Sequence, residues 1–305
     1  MRVFDKIKRA LTQPRYILIY ILYIIAPIVP DRLYLRLMFR LKMGYWMDFD
    51  NPQTFNEKLQ WLKLYNRRPE YTQMVDKYAV KEYVASIIGE QYIIPTLGVW
   101  DSVEDIDFDS LPNKFVLKTT HGGGGGGVII CQDKSNFDIG QCKTKLQQSL
   151  DSCIYRNLRE WPYKDVPHRI IAEQYIEDKN GQLNDYKFYC FNGVVKSVMI
   201  CLDRDKGDTK FYFFSPDWEL LRLNQRGVDA PENFTLPKPE NIDKMFGLAE
   251  QLCGSEPFLR VDLYNVNGQI FFGELTFYPA SGLDGNYLET TEKLFGDYIN
   301  LEARV

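Results

Sequence analysis

Three groups of residues in this sequence have types and spacings suited to phosphate and metal chemistry. The first is Lys118-Thr119-Thr120-His121 followed by six glycines, Gly122 to Gly127. Glycines let backbone N–H groups curl around phosphate oxygens without side-chain obstruction, and a lysine at the end of the preceding strand adds a point charge. No Gly-Lys-Ser/Thr follows, so this is not a Walker loop. By itself the run also fits a flexible surface loop, and His121 could touch phosphate or serve as a hydrogen-bonder at the loop base. The second group is Arg260-Val261-Asp262 and Glu274-Leu275-Thr276. Two carboxylates brought together by a tight hairpin suit Mg²⁺, a hard cation that prefers oxygen ligands. They share a face only if the hairpin around Asn267-Gly268 has an odd loop or a bulge, because a plain two-residue turn puts them on opposite faces. Without that, acidic residues at strand ends are ordinary solvated groups. The third group is Glu173-Gln174-Tyr175-Ile176 with Asp185-Tyr186-Lys187. Strand alternation puts Asp185 and Lys187 on one face, where they could meet ribose and phosphate or form a surface salt bridge.

These groups need elements to hold them. Thr54 followed by Glu57 reads as a capping box opening a helix with Phe55, Leu59 and Leu62 on one face. A second helix is expected over Tyr71 to Ile88, stopped by Gly89. From Lys114 onward short apolar runs take over, with strands expected over Phe115–Lys118, Val128–Cys131, Arg169–Ile176, Tyr186–Phe191, Val194–Leu202 and Phe211–Phe214. A helix over Asp243–Cys253 and a hairpin of Phe258–Tyr264 with Gln269–Thr276 follow, and both Asn192-Gly193 and Asn267-Gly268 are tight-turn signals. The fold class is therefore α+β.

Composition narrows the partners. With 45% hydrophobic and 26% charged residues over 305 positions, the chain has the balance of a folded globular protein of about two domains. A net charge of −4 argues against nucleic-acid binding, which calls for a basic surface. Six scattered cysteines without a C-x-x-C pair suggest reduced thiols in a cytoplasmic setting. Near the N-terminus, Ile17 to Val29 is an apolar run of 13 residues, preceded by Lys6, Lys8, Arg9 and Arg15 and followed by Arg32, Arg36, Arg40 and Lys42. It is too short to span a bilayer. Two readings remain for it: a helix lying on an anionic membrane surface, or an ordinary buried helix.

The order of these groups resembles the ATP-grasp enzymes. The wording is similar to the TupA-like branch, associated with teichuronopeptide and capsular or other surface-polysaccharide synthesis. The resemblance runs through Asn51-Pro52-Gln53-Thr54-Phe55-Asn56-Glu57-Lys58-Leu59-Gln60-Trp61, Asp76-Lys77-Tyr78, Phe115-Val116-Leu117-Lys118, Asp185-Tyr186-Lys187-Phe188, Arg260-Val261-Asp262-Leu263-Tyr264 and Phe272-Gly273-Glu274-Leu275-Thr276. It implies ATP and Mg²⁺ held between two β-rich lobes, with a mostly helical N-terminal region. Lys118 would contact the α- or β-phosphate, and the loop of Gly122, Gly123, Gly124, Gly125, Gly126 and Gly127 would close over the phosphates. Glu173, Gln174, Tyr175 and Ile176 would line the adenine pocket, and Asp185 would reach the ribose. Lys187 would face the phosphates, Asp262 and Glu274 would hold Mg²⁺, and Arg260 would steady an acyl phosphate. The sequence departs from the ATP-grasp pattern at Thr276, where many such ligases carry Asn, and in its first hundred residues, which read as helical rather than as the usual β-rich N-terminal substrate domain. The expected division is a basic, apolar segment over 1–50, a helical region over 51–112, a small lobe over 113–170 and a large lobe over 171–305. The expected activity is carboxylate–amine ligation on a small-molecule or lipid-linked glycan. A kinase acting on a hydroxyl is the alternative with the same apparatus, and a glycosyltransferase the rival from another class, with D-x-D triplets at Asp48–Asp50, Asp107–Asp109 and Asp203–Asp205.

Overall fold

The computed structural model describes residues 15–123, 127–178, 183–202 and 209–301. Two N-terminal helices, α1 (Arg15–Ile25) and α2 (Asp31–Met43), are joined by a short 3-10 turn, and α2 ends at Gly44 with φ +88°. Helix α3 (Phe55–Tyr65) opens on the expected capping box: Glu57 N–H donates to Thr54 Oγ1 at 3.3 Å while Thr54 N–H donates to Glu57 Oε2 at 3.0 Å. The single helix expected over Tyr71–Ile88 is two, α4 (Glu70–Val75) and α5 (Ala79–Ile88). Asp76 causes the break. It leaves helical geometry at ψ 114°, and its carboxylate takes the N–H groups of Tyr78 at 2.8 Å and Ala79 at 3.2 Å, restarting the chain as a new helix.

The first sheet contains β1 (Thr96–Trp100), β2 (Phe115–Thr119), β3 (Val128–Cys131) and β4 (Ile170–Gln174) in the antiparallel order β1-β4-β2-β3. It draws strands from residues 96 to 174, on both sides of the boundaries expected at 113 and 170. Helix α6 (Ile139–Leu150) covers it, burying Cys142, Leu146 and Leu150 against Phe115, Leu117 and Ile170. A short α7 (Ile154–Leu158) leads back.

The second sheet is larger, with β5 (Asn184–Phe191), β6 (Val194–Leu202), β7 (Lys210–Phe214), β8 (Leu220–Leu221), β9 (Leu259–Val266) and β10 (Gln269–Thr276) in the antiparallel order β10-β9-β5-β6-β7-β8. Between its strands lie α8 (Gln225–Asp229) and α9 (Ile242–Cys253), and α10 (Glu289–Tyr298) follows. Helix α9 packs its buried Met245, Leu248, Ala249 and Leu252 on this sheet. The N-terminal helices α3 to α5 share that core: the Phe55 ring meets Phe258 at 4.9 Å and Phe295 at 5.4 Å, both edge-on. The fold is thus α+β, with two sheets, each over its own apolar core.

Candidate active site

The hairpin of β9 and β10 turns through Asn267 and Gly268, both at positive φ (52° and 85°), which a two-residue hairpin turn requires. Such a turn alone would set Asp262 opposite Gly273. The register slips by one residue between Phe272 and Glu274, so Asp262 faces Glu274 and Arg260 faces Thr276. Gly273 is what permits the slip, since a Cβ there would lie 3.0 Å from the Asp262 carbonyl oxygen and 3.2 Å from the Tyr264 ring. One bulged glycine puts both carboxylates on the same face.

A compact charge network forms on that face. Strand β5 sets Lys187 opposite Asp262, and its ammonium pairs with Asp262 and with Asp185, the latter at 2.7 Å. Arg260 grips Asp262 with Nε at 2.6 Å and Nη2 at 2.8 Å, and the same Nη2 reaches Glu274 Oε1 at 2.9 Å and Thr276 Oγ1 at 3.0 Å. Asp262 and Asp185 are buried, whereas the Glu274 side chain is 41% exposed at the cleft edge. Burial would raise the Glu274 carboxyl, but Lys77, Arg260 and Lys187 together hold it down at about 2. Burial would likewise lower Lys187, but Asp262, Asp185 and Glu274 together outweigh it, so the ammonium titrates above its ordinary value and stays charged.

Across the cleft, Lys118 of β2 pairs with Glu173 of β4, its diagonal neighbour, and Lys81 of α5 pairs with the same carboxylate at 2.6 Å. Burial pushes the Glu173 carboxyl up, yet the two lysines outweigh that and keep it ionised below its ordinary value. Lys77, beside the Asp76 break, donates through Nζ to the Gly122 carbonyl, and its backbone N–H donates to Thr120 O at 3.0 Å. Burial lowers the Lys77 ammonium, while Glu274 across the cleft is the largest opposing influence. Lys77, Lys81, Lys118 and Glu173 line one cleft with Phe272 and Gly273 of the other sheet. Sequence reasoning gave Lys77 and Lys81 no role. The Asp76-Lys77-Tyr78 triplet was a signal for the first, but a lysine on or beside a helix ordinarily reads as solvated.

The base of the glycine loop is tightly packed. Thr119 and Ser149 hydroxyls meet at 2.7 Å, and a Cβ on Gly127 would lie 2.3 Å from Ser149 Oγ and 2.5 Å from Thr119 Oγ1. Gly124, Gly125 and Gly126 lie outside the described residues. His121, expected either at phosphate or as a hydrogen-bonder at the loop base, is 1% exposed, stacked on His168 at 3.6 Å, and its Nε2 meets the Ser149 carbonyl at 3.1 Å. It is a loop-base residue with no open surface for a phosphate. Burial and the neighbouring His168 hold its imidazole at about 4, neutral near pH 7. Gln174 ends β4 with its N–H on the Pro95 carbonyl, and Tyr175 and Ile176 continue beyond the strand, Tyr175 hydroxyl accepting from Gln132 at 2.9 Å.

The site residues fit Mg²⁺. One Arg260 nitrogen lies within 2.9 Å of an oxygen from each of Asp262 and Glu274, so both carboxylates converge on a single positive atom. Among the described residues no cluster of three or more His, Cys, Asp or Glu side chains is arranged for a metal. A cation held by these two would be completed by phosphate oxygens and water, as Mg²⁺ commonly is.

Two antiparallel sheets share a lysine-lined cleft, with a glycine-rich hairpin on one and a carboxylate hairpin on the other, the arrangement of an ATP-grasp fold. The profile of the TupA-like ATP-grasp family matches residues 57–300, and the chain belongs to that family. No curated protein matches the sequence. Solved structures with a similar fold include D-alanine-D-alanine ligase from Helicobacter pylori, with 16% identity and a TM-score of 0.40 over 80% of this chain and 69% of that one. The same ligase from Bacillus anthracis shows 18% identity and a TM-score of 0.43 over 76% of this chain and 68% of that one. The biotin carboxylase domain of Hydrogenobacter thermophilus 2-oxoglutarate carboxylase, in complex with MgADP, ADP and bicarbonate, shows 16% identity and a TM-score of 0.39. That match covers 67% of this chain and 40% of the other.

Proposed function

We propose that this protein is an ADP-forming carboxylate–amine ligase that modifies a capsular or other surface polysaccharide, or its small-molecule or lipid-linked precursor, on the cytoplasmic side of the membrane. The observation that carries the reading is the pairing of Asp262 with Glu274 across the Gly273 bulge, both bound to Arg260, in a cleft that also gathers Lys77, Lys81 and Lys118. In this reading a substrate carboxylate oxygen attacks the γ-phosphorus of ATP, the bond to the bridging oxygen breaks, and ADP departs. The resulting acyl phosphate is attacked by a neutral amine, which forms the amide and releases phosphate and a proton.

Phosphoryl transfer of this kind needs positioning and charge neutralisation more than a protein nucleophile. Lys118 and Lys187 supply fixed positive charge, and Arg260 steadies the acyl phosphate. Asp185 receives the ribose, while the segment from Glu173 to Ile176 flanks the base. Asp262 and Glu274 would hold Mg²⁺, whose contribution is to neutralise charge on the phosphate oxygens. The glycine loop over the phosphates excludes water that would hydrolyse the intermediate. The surface-polysaccharide assignment rests on the association of the TupA-like branch.

The test is to incubate the protein with ATP and Mg²⁺ and panels of uronic acids, amino acids and sugar nucleotides. ADP and free phosphate formed only when an acid and an amine are both present support the ligase. Stable transfer of phosphate to a hydroxyl would establish a kinase instead.

A further inference from the structure

Helix α1 is built the wrong way round for a soluble helix. Its buried positions are Ile19 and Leu22, continued by Ala26 in the 3-10 turn, a stripe at i, i+3 and i+7. The rest of its surface should then be polar. Instead Ile17, Leu18, Tyr20, Ile21, Ile24 and Ile28 are exposed, Tyr20 by 66% and Ile28 by 82%. No helix among the described residues is long and apolar enough to cross a membrane, and 11 residues of helix reach about 16 Å against a hydrocarbon core of about 30 Å.

Positive charge lies at the start of α1 and on the helix packed against it. Arg15 starts α1, and Arg36, Arg40 and Lys42 are exposed on α2. Arg36 and Arg40 lie over the ring of Trp46, at 5.4 Å and 5.8 Å, and that ring is 54% exposed. Apolar side chains beside guanidinium groups and an exposed indole are the features of a helix seated in a lipid headgroup layer. The mount is firm: Arg159 donates to the Ala26 carbonyl at 2.5 Å, pairs with Asp31 at 2.9 Å and lies over the Tyr34 ring at 4.2 Å. Its neighbour Leu158 accepts from the buried Lys63, which also holds Ser281 on the segment just after β10. The face is therefore tied to the lobe that carries the carboxylate hairpin.

We infer that α1 and the basic face of α2 form a docking surface for an anionic lipid bilayer, with the exposed isoleucines entering the headgroup–acyl boundary and the arginines facing lipid phosphates. This stands independently of the catalytic reading. The experiment is flotation of the full chain with vesicles of equal phosphatidylglycerol and phosphatidylcholine, beside vesicles of phosphatidylcholine alone. Binding is expected to the anionic vesicles, to weaken with salt, and to fall about tenfold or more in R36E/R40E, since each basic residue near a charged surface is worth roughly fivefold. The I21E/I24E variant should lose binding while keeping the basic N-terminal residues, and unchanged thermal midpoints would show both variants folded. Equal binding to neutral vesicles, or wild-type binding by I21E/I24E, would overturn the proposal. A chain that stays in solution but is a dimer made monomeric by I21E/I24E would assign this face to a second copy instead.

Discussion

Arg260 stands where several roles meet, because its Nη2 touches Asp262, Glu274 and Thr276 together. Burial alone would disfavour its charge, but Asp262 and Glu274 keep it firmly cationic. Glu274→Gln removes a charge from the pair expected to hold Mg²⁺, and turnover should fall roughly a hundredfold or more, the equivalent of several kcal/mol, without loss of fold. A Glu274→Gln enzyme with near-normal ATP-dependent turnover would sink both the metal assignment and the ligase mechanism. Arg260→Ala should depress turnover more than ATP affinity, read as a fall in kcat with a smaller change in ATP KM. Lys77 permits a sharper test. It is the largest of the charges that hold Glu274 at about 2, so Lys77→Met should raise the Glu274 pKa. A carboxylate takes a cation only when ionised, so with Glu274 as the proposed ligand the acid limb of Mg²⁺-ATP affinity, near pH 2 in the wild type, should move to higher pH in the variant, which isothermal titration extended down to pH 2 would detect. A uniform loss of affinity with an unmoved acid limb would leave Lys77 as a mere prop for the Gly122 carbonyl.

At the scale of elements, the site depends on a strand that gains one residue. Gly273→Ala puts a methyl group 3.0 Å from the Asp262 carbonyl, which costs about 1–3 kcal/mol if the hairpin yields. The strain falls between the two carboxylates, so Mg²⁺-dependent turnover should drop by more than the loss of thermal stability explains. Wild-type Mg²⁺ dependence in a destabilised Gly273→Ala protein would show that the bulge does not set the pair. Elements with local causes were legible in the sequence: the Thr54–Glu57 box and the turns at Asn192-Gly193 and Asn267-Gly268 are short-range signals. The hairpin that carries Asp262 and Glu274 could be placed and its need for a bulge stated, and the lone glycine inside the second strand, Gly273, was the local signal for where it slips. Strand β1 was hidden because it is a half-exposed edge with its own register shift, and so lacks alternation. Asp76 gave no sign of breaking a helix, since its carboxylate does so only by turning to the N–H groups ahead of it. The burial of His121 depends on His168, 47 residues away, and no spacing rule reports such a stack.

The whole molecule is held together across its length by contacts between α3 and the C-terminal helix α10. A Cβ on Gly296 would lie 2.1 Å from the Gln53 carbonyl, so α10 meets the segment just before α3 at a point where only glycine fits. Beside it, Glu292 accepts from the Asn56 backbone N–H at 3.1 Å and from Asn56 Nδ2 at 2.6 Å, 236 residues apart in sequence. Burial raises the Glu292 carboxyl to about 7, and the Asn56 N–H offsets this only in part. The sign of the linkage follows. A carboxyl that titrates near 7 when folded and near 4.5 when unfolded keeps its proton in the native state throughout that interval, so the native state binds more protons and stability falls as pH rises. Its contribution is complete below about pH 4.5 and lost through pH 7, with a magnitude of about 2–3 kcal/mol. Glu292→Gln cannot titrate. Although it disturbs the Asn56 contacts at every pH, its deficit relative to the wild type should shrink by that amount between pH 5 and pH 8. Urea unfolding of both proteins at the two pH values measures this difference directly, and other titrating groups cancel in the comparison. Parallel stabilities for the two proteins across that range would mean that Glu292 is ionised in the folded chain and that the α3–α10 clamp is a charged one.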